Sequence, residues 1–93
     1  MSHHYNVSID YANDKISNSN VDEISNIFKN DLKNILDVEE MSKLSFSVVN
    51  LNGPAGGWPE INLSGEEIVL NKILDSFGYN SDQDYLKEFG TEI

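Results

Sequence analysis

The chain has no cysteine and no arginine, only two prolines, and no long apolar run. Each absence excludes something. Without cysteine there is neither a disulfide framework nor a thiolate metal site, so a domain of this size must rely on its apolar core. Without arginine, and with only six lysines, no clustered basic surface is available to neutralise phosphates, so direct nucleic-acid binding is not expected. Crossing a bilayer takes ~20 consecutive apolar residues, and an anionic membrane surface would repel an acidic chain. Met1-Ser2-His3-His4 lacks a basic region followed by an apolar stretch, so no signal peptide is read and a cytosolic location is expected.

What is abundant is negative charge. Sixteen aspartates and glutamates against six lysines give a formal net charge of −10. Such a charge keeps a small protein dispersed, and it also steers a basic partner toward it. With 39% hydrophobic and 24% charged residues in 93, the composition is that of one globular domain spanning 1–93.

Tyr5 to Tyr11 alternates apolar and polar residues, a strand with Tyr5, Val7, Ile9 and Tyr11 on one face and Asn6, Ser8 and Asp10 on the other. Ala12 to Asn20 reads as a loop. A helix follows, capped by Asn20 with Glu23 three residues on, and Val21, Ile24, Ile27, Phe28, Leu32, Ile35 and Leu36 form its apolar stripe. Asp37 to Glu40 reads as an acidic link. Lys43 to Leu51 is a second strand whose alternation slips at Val48 and Val49, which a bulge reconciles. A glycine-rich hairpin loop then leads to a third strand with Ile61 and Leu63 inward and Pro59 at its start. Glu66 to Phe77 is a second long helix, capped by Ser64 or Gly65 and stopped by Gly78. A short third helix is expected with Ser81 as cap and Tyr85, Leu86 and Phe89 inward. The order β-α-β-β-α-α predicts an α+β fold, a three-stranded mainly antiparallel sheet with helices on one face. This is a ferredoxin-like or split β-α-β variant in which Thr91 to Ile93 is too short to supply the fourth strand.

Little in the sequence speaks for catalysis. Nucleophilic catalysis needs a nucleophile beside a base, and the only histidines, His3 and His4, precede the first strand. That pair is read as a chain end and not as a metal site. Asn80-Ser81-Asp82-Gln83-Asp84 resembles the start of an EF-hand loop. It places Tyr85 where glycine is needed and Thr91 where the closing glutamate belongs, so a capped acidic helix turn is preferred. Gly53-Pro54-Ala55-Gly56-Gly57 lacks the Lys-Ser/Thr and following helix of a phosphate loop, so its glycines are assigned to a hairpin turn. No catalytic residue, metal or cofactor is expected.

Two candidate contact surfaces remain. One is Gly56, Gly57, Trp58 and Glu60, because tryptophan is enriched at interaction hot spots, although a lone tryptophan in a small domain also serves as a core or capping residue. The other is acidic: Asp75, Asp82, Asp84, Glu88 and Glu92 crowd the C-terminal region against Lys87, with Asp37, Glu39 and Glu40 as a second patch. Solvated helix faces are the plainer account of both acidic groups.

The run Gly53-Pro54-Ala55-Gly56-Gly57-Trp58-Pro59-Glu60, followed by Ile61-Asn62-Leu63 and an amphipathic helix, resembles a pattern in small phage proteins. The resemblance covers the hairpin and the second long helix, and it implies a phage or mobile-element origin with no functional residues to carry over. By class analogy, small acidic phage proteins resemble inhibitors of host machinery, including anti-CRISPR and anti-restriction proteins, some acting by DNA mimicry. The expected function is therefore a non-enzymatic acidic binding protein that occupies a basic surface of a host protein. The alternative is a structural or assembly protein, such as a homodimer, that self-associates through its sheet edges.

Overall fold

A computed structural model describes residues 3–13, 20–51 and 58–93. The alternation read at the N-terminus becomes β1 (His4–Asp10), with Tyr5, Val7 and Ile9 buried and Asn6, Ser8 and Asp10 half-buried on the other side. His4 therefore belongs to the strand and does not precede it. Helix α1 spans Val21–Lys33; the Asn20 side chain accepts from the Glu23 amide at 2.9 Å, satisfying one of the free N–H groups of the first turn. Ile24, Phe28 and Leu32 form its buried stripe. The stripe continues past the helix because a turn over Asn34–Leu36 still delivers Leu36 to the core.

The acidic link is itself a helix, α2 (Val38–Ser42), closed by a reciprocal capping box between Asp37 and Glu40. Strand β2 (Leu44–Asn50) follows, and its register against the next strand shifts between Val48 and Asn50, where the sequence places the bulge. β3 (Glu60–Glu66) buries Ile61, Leu63 and Gly65. It runs farther than expected: Ser64 and Gly65 are strand residues, and α3 (Glu67–Ser76) is preceded by Glu66 with no side-chain cap. The Ser64 hydroxyl instead accepts from Asn6 across the sheet at 2.7 Å. α3 buries Val69, Leu70, Ile73 and Leu74 and gives way to Gly78, whose φ of 81° is the left-handed conformation that glycine adopts freely.

Two further expectations are corrected at the C-terminus. The cap of the short helix α4 (Tyr85–Phe89) is Asp84 and not Ser81, and Leu86 is its buried residue while Phe89 faces outward. The chain then forms a fourth strand, β4 (Thr91–Glu92), where three strands were expected. Two residues suffice because Glu92 and Thr91 pair with Tyr5 and Asn6, and the Ile93 amide donates to the His4 carbonyl at 2.8 Å. The turn into β4 requires Gly90, where a Cβ would lie 2.4 Å from the Leu86 carbonyl oxygen.

The result is an α+β fold with one antiparallel sheet in the order β2-β3-β1-β4. β3 lies between β1 and β2 and runs antiparallel to both, so β1 and β2 are parallel without touching. The buried side chains form one apolar cluster that joins Val7, Ile9, Ile61 and Leu63 of the sheet to α1, α3 and α4. Fully burying each such side chain is worth about 1.5–3 kcal/mol. The opposite sheet face carries no helix-facing apolar row. It presents Asn6, Ser8, Asp10, Glu60, Asn62 and Ser64, with Ser45 and Ser47 of β2. Asn6 and Asn62 tie this face together by exchanging amide hydrogen bonds of 2.8 and 2.9 Å.

Candidate functional site

The expected contact loop is placed only in part. Gly56 and Gly57 lie outside the described residues. Trp58 stands just before β3 and is 36% exposed, neither core nor free in solvent. Its neighbour Pro59 is buried, and the Pro59 carbonyl accepts from the Tyr11 amide at 2.8 Å. This bond continues the β1–β3 ladder one step past Asp10 and Glu60, the last pair in register. The ladder therefore sets those two carboxylates side by side on the open sheet face. Like charges directly opposite one another destabilise a sheet, so the pair is a structural cost borne at the surface.

The C-terminal acids divide three ways. Asp75 and Asp84 share a shallow hollow of about 400 Å³ with Asn71, Asn80 and Gln83. Asn80 organises it: its side-chain amide donates to Asp75 at 2.8 Å and to Asn71 at 3.3 Å, and its oxygen accepts from the Tyr85 amide at 3.0 Å. Asp84 caps α4, accepting from the Lys87 amide at 3.3 Å. The acidic turn is thus a helix entry. Among the described residues no group of three or more His, Cys, Asp or Glu side chains is placed to hold a metal ion. Asp82 and Glu88 are exposed and make no part of the hollow.

Glu92, carried by β4, belongs with the sheet. It accepts from the His3 ring at 3.1 Å and lies opposite Tyr5. Burial pushes the Tyr5 phenol above its ordinary pKa, and the nearby negative charges of Glu92, Glu67 and Asp84 push it further. Tyr85 behaves alike: burial raises it first, then the charges of Asp10 and Glu60. Carboxylates distant in sequence therefore act on the outer side of β1 from two places: Glu92 on the face of Tyr5, and Asp10 with Glu60 on the open face. Lys87 is the one lysine of α4 and β4, and at 4.0 Å from Asp84 it makes only a loose exposed pair.

Sequence reasoning missed how that side is closed. In an antiparallel ladder the carbonyls of alternate residues point to the same neighbour, and those of His4, Ser8 and Asp10 point away from β3. β4 serves only the first part of this edge. Farther along, the Tyr85 hydroxyl donates to the Ser8 carbonyl at 3.2 Å and the Tyr79 hydroxyl donates to the Asp10 carbonyl. Two phenols thus stand in for the missing strand, and a tyrosine on either side of the Asn80-Ser81-Asp82-Gln83-Asp84 run was the available signal. A second feature, an apolar groove between α1 and α2, also went unread because Val38 lies outside any periodic stripe.

No protein-family model, curated protein or solved structure matches the chain.

Proposed function

We propose that this chain is a non-enzymatic binding protein that offers an acidic surface to a basic surface of another protein. One observation carries the reading: strand register sets Glu92 opposite Tyr5 and Asp10 beside Glu60, and Asp84 caps the helix that leads into β4. These four carboxylates come from β1, β3, β4 and the cap of α4, so their spacing is held by ordered strands and a helix cap. Rigid placement of like charges favours steering and docking of a cationic partner, because little side-chain ordering is left to be done on binding. The finer fold reading, a ferredoxin-like split β-α-β variant, is supported by the strand order and by the parallel β1 and β2 on either side of β3.

The open sheet face speaks against nucleic acid as the direct ligand. Single strands are held on such faces by aromatic stacking and cationic side chains, whereas Asn, Ser, Asp and Glu occupy these positions here. The partner that fits is a host protein whose basic surface ordinarily receives nucleic acid, which agrees with the phage-type inhibitor reading and a cytoplasmic setting. Trp58, at the same end of β3 as Glu60, is the apolar anchor of that contact.

The test is capture of host proteins on the immobilised chain at low salt, repeated at high salt, and again with Asp84→Lys/Glu92→Lys. A nucleic-acid-handling protein retained at low salt, released by high salt and lost with the charge reversals supports the proposal. Retention that ignores both salt and charge reversal sinks the electrostatic reading.

A further inference from the structure

The few lysines are unevenly used. Lys43 lies 3.6 Å from Glu39 and 3.7 Å from Glu66, Lys72 is bonded to Glu40, and Lys87 approaches Asp84. Lys29 and Lys33 have no carboxylate within ion-pair distance among the described residues, in a chain with sixteen carboxylates. They stand four residues apart on α1 and so share one side of the helix. Both border a groove of about 550 Å³ between α1 and α2, lined otherwise by Leu36, Asp37, Val38 and Met41. Val38 is 88% exposed, a branched apolar side chain at a helix start where nothing in the fold uses it. Asp37 is engaged in capping α2. The groove therefore pairs open apolar surface with two cations that make no ion pair among the described residues. What fits it is a segment that brings carboxylates and apolar side chains together.

We propose that this segment is Glu88–Ile93 of a second copy of the chain. Phe89 is 61% exposed and Ile93 76% exposed, and each directly follows a glutamate, Glu88 and Glu92. A copy cannot serve itself. α1 packs against β2, the outermost strand at one end of the sheet, while the segment is held by β4, the outermost strand at the other. Groove and segment are different surfaces at opposite ends, so the contact is heterologous and leaves one of each free after every addition. Association is then head-to-tail and grows with concentration. It also separates from binding to a basic partner by its salt response. Two copies of charge −10 repel over the long range, and salt screens that repulsion before it weakens close pairs beside an apolar floor.

The experiment is sedimentation of the 93-residue chain over a concentration series at low and physiological salt. The weight-average mass should rise above the 10.5 kDa of one chain, and rise more at physiological salt. Lys29→Glu/Lys33→Glu and Glu88→Lys/Glu92→Lys should each sediment as a monomer alone, and an equimolar mixture of the two should associate again, because each groove then meets a segment of opposite charge. Glu92 lies in β4, so Phe89→Ser is the second probe of the segment and should also give a monomer. A wild-type chain that stays monomeric throughout overturns the proposal. So do variants that associate as the wild type does, or a mixture that stays monomeric. The salt response and the Lys29→Glu/Lys33→Glu and Phe89→Ser variants are independent of capture of a basic partner, whereas Glu92 also belongs to the acidic surface of that reading.

Discussion

Tyr11 shows how a single side chain serves core and surface together. Its ring lies 4.8 Å from Phe28, edge to face, and 5.8 Å from Phe77. Its hydroxyl donates to the Asp31 carboxylate. The Asn13 side-chain amide donates to both, at 2.9 Å to the hydroxyl and 3.1 Å to Asp31. Burial pushes the phenol pKa up, and the bond to Asp31 adds to it. Tyr11→Phe keeps the ring packing and removes the hydroxyl, and it should cost about 1.5–3 kcal/mol, the range for a hydrogen bond to a charged group. The denaturant midpoint should fall with the slope unchanged. The sign with pH follows from the raised folded-state value: the hydroxyl's contribution is complete below the ordinary phenol pKa of 10.0 and is lost as pH rises beyond it. The gap between wild type and variant should therefore narrow in alkali. A gap that widens there would mean the phenol is not held in its protonated form.

At the scale of elements, α2 is joined to α3 by one charged contact. Glu40 closes the capping box by accepting from the Asp37 amide at 3.1 Å through one oxygen, and its other oxygen accepts from Lys72. Lys72 holds the Glu40 carboxyl below its ordinary 4.5, with the Asp37 amide assisting. A depressed folded-state pKa contributes stability that is present above 4.5 and lost as pH falls through the folded value. Glutamine still accepts from the Asp37 amide, so Glu40→Gln isolates the charge on Lys72. The variant should melt slightly below wild type at neutral pH and together with it in acid. Equal melting at both pH values would show that the ion pair adds nothing beyond the capping box. This element is also where reading from sequence failed, for a physical reason. A five-residue helix is too short to show a 3.6-residue period, and its Val38 faces solvent. Only the Asp37-x-x-Glu40 spacing marked it. β3 ran past its expected end because Gly65 continues the alternation of Ile61 and Leu63 without a side chain to display it. β4 went unseen because two residues carry no period at all. The long elements, whose apolar residues repeat three or more times, were all legible. Of the candidate site, the identity of the acidic residues was legible, but the pairing of Asp10 with Glu60 and of Glu92 with Tyr5 depends on register, which residue spacing along the chain does not encode.

For the whole molecule the governing quantity is the imbalance of charge. Sixteen carboxylates and six lysines are packed into a body of 41 × 27 × 22 Å. At 0.01 M salt the screening length is ~30 Å, so nearly every carboxylate acts on every other; at 0.15 M it is ~8 Å and only neighbours interact. Unfolding separates these charges, so long-range repulsion lowers the stability of the compact state most at low salt. The exposed ion pairs oppose this trend, since salt weakens them, but such pairs contribute only about 0–1 kcal/mol each. Among the described residues Lys29 and Lys33 form none, and Asp10 and Glu60, opposite one another in the ladder, add like charge. Repulsion therefore wins, and the melting temperature should rise with added salt, most steeply between these two concentrations. Sodium, potassium and magnesium chlorides compared at equal ionic strength separate screening from binding. Screening by ionic strength predicts coincident curves for sodium and potassium, whereas a specific cation site predicts one salt standing apart. A melting temperature that falls with salt would instead show that the ion pairs of Lys43, Lys72 and Lys87 outweigh ten uncompensated negative charges.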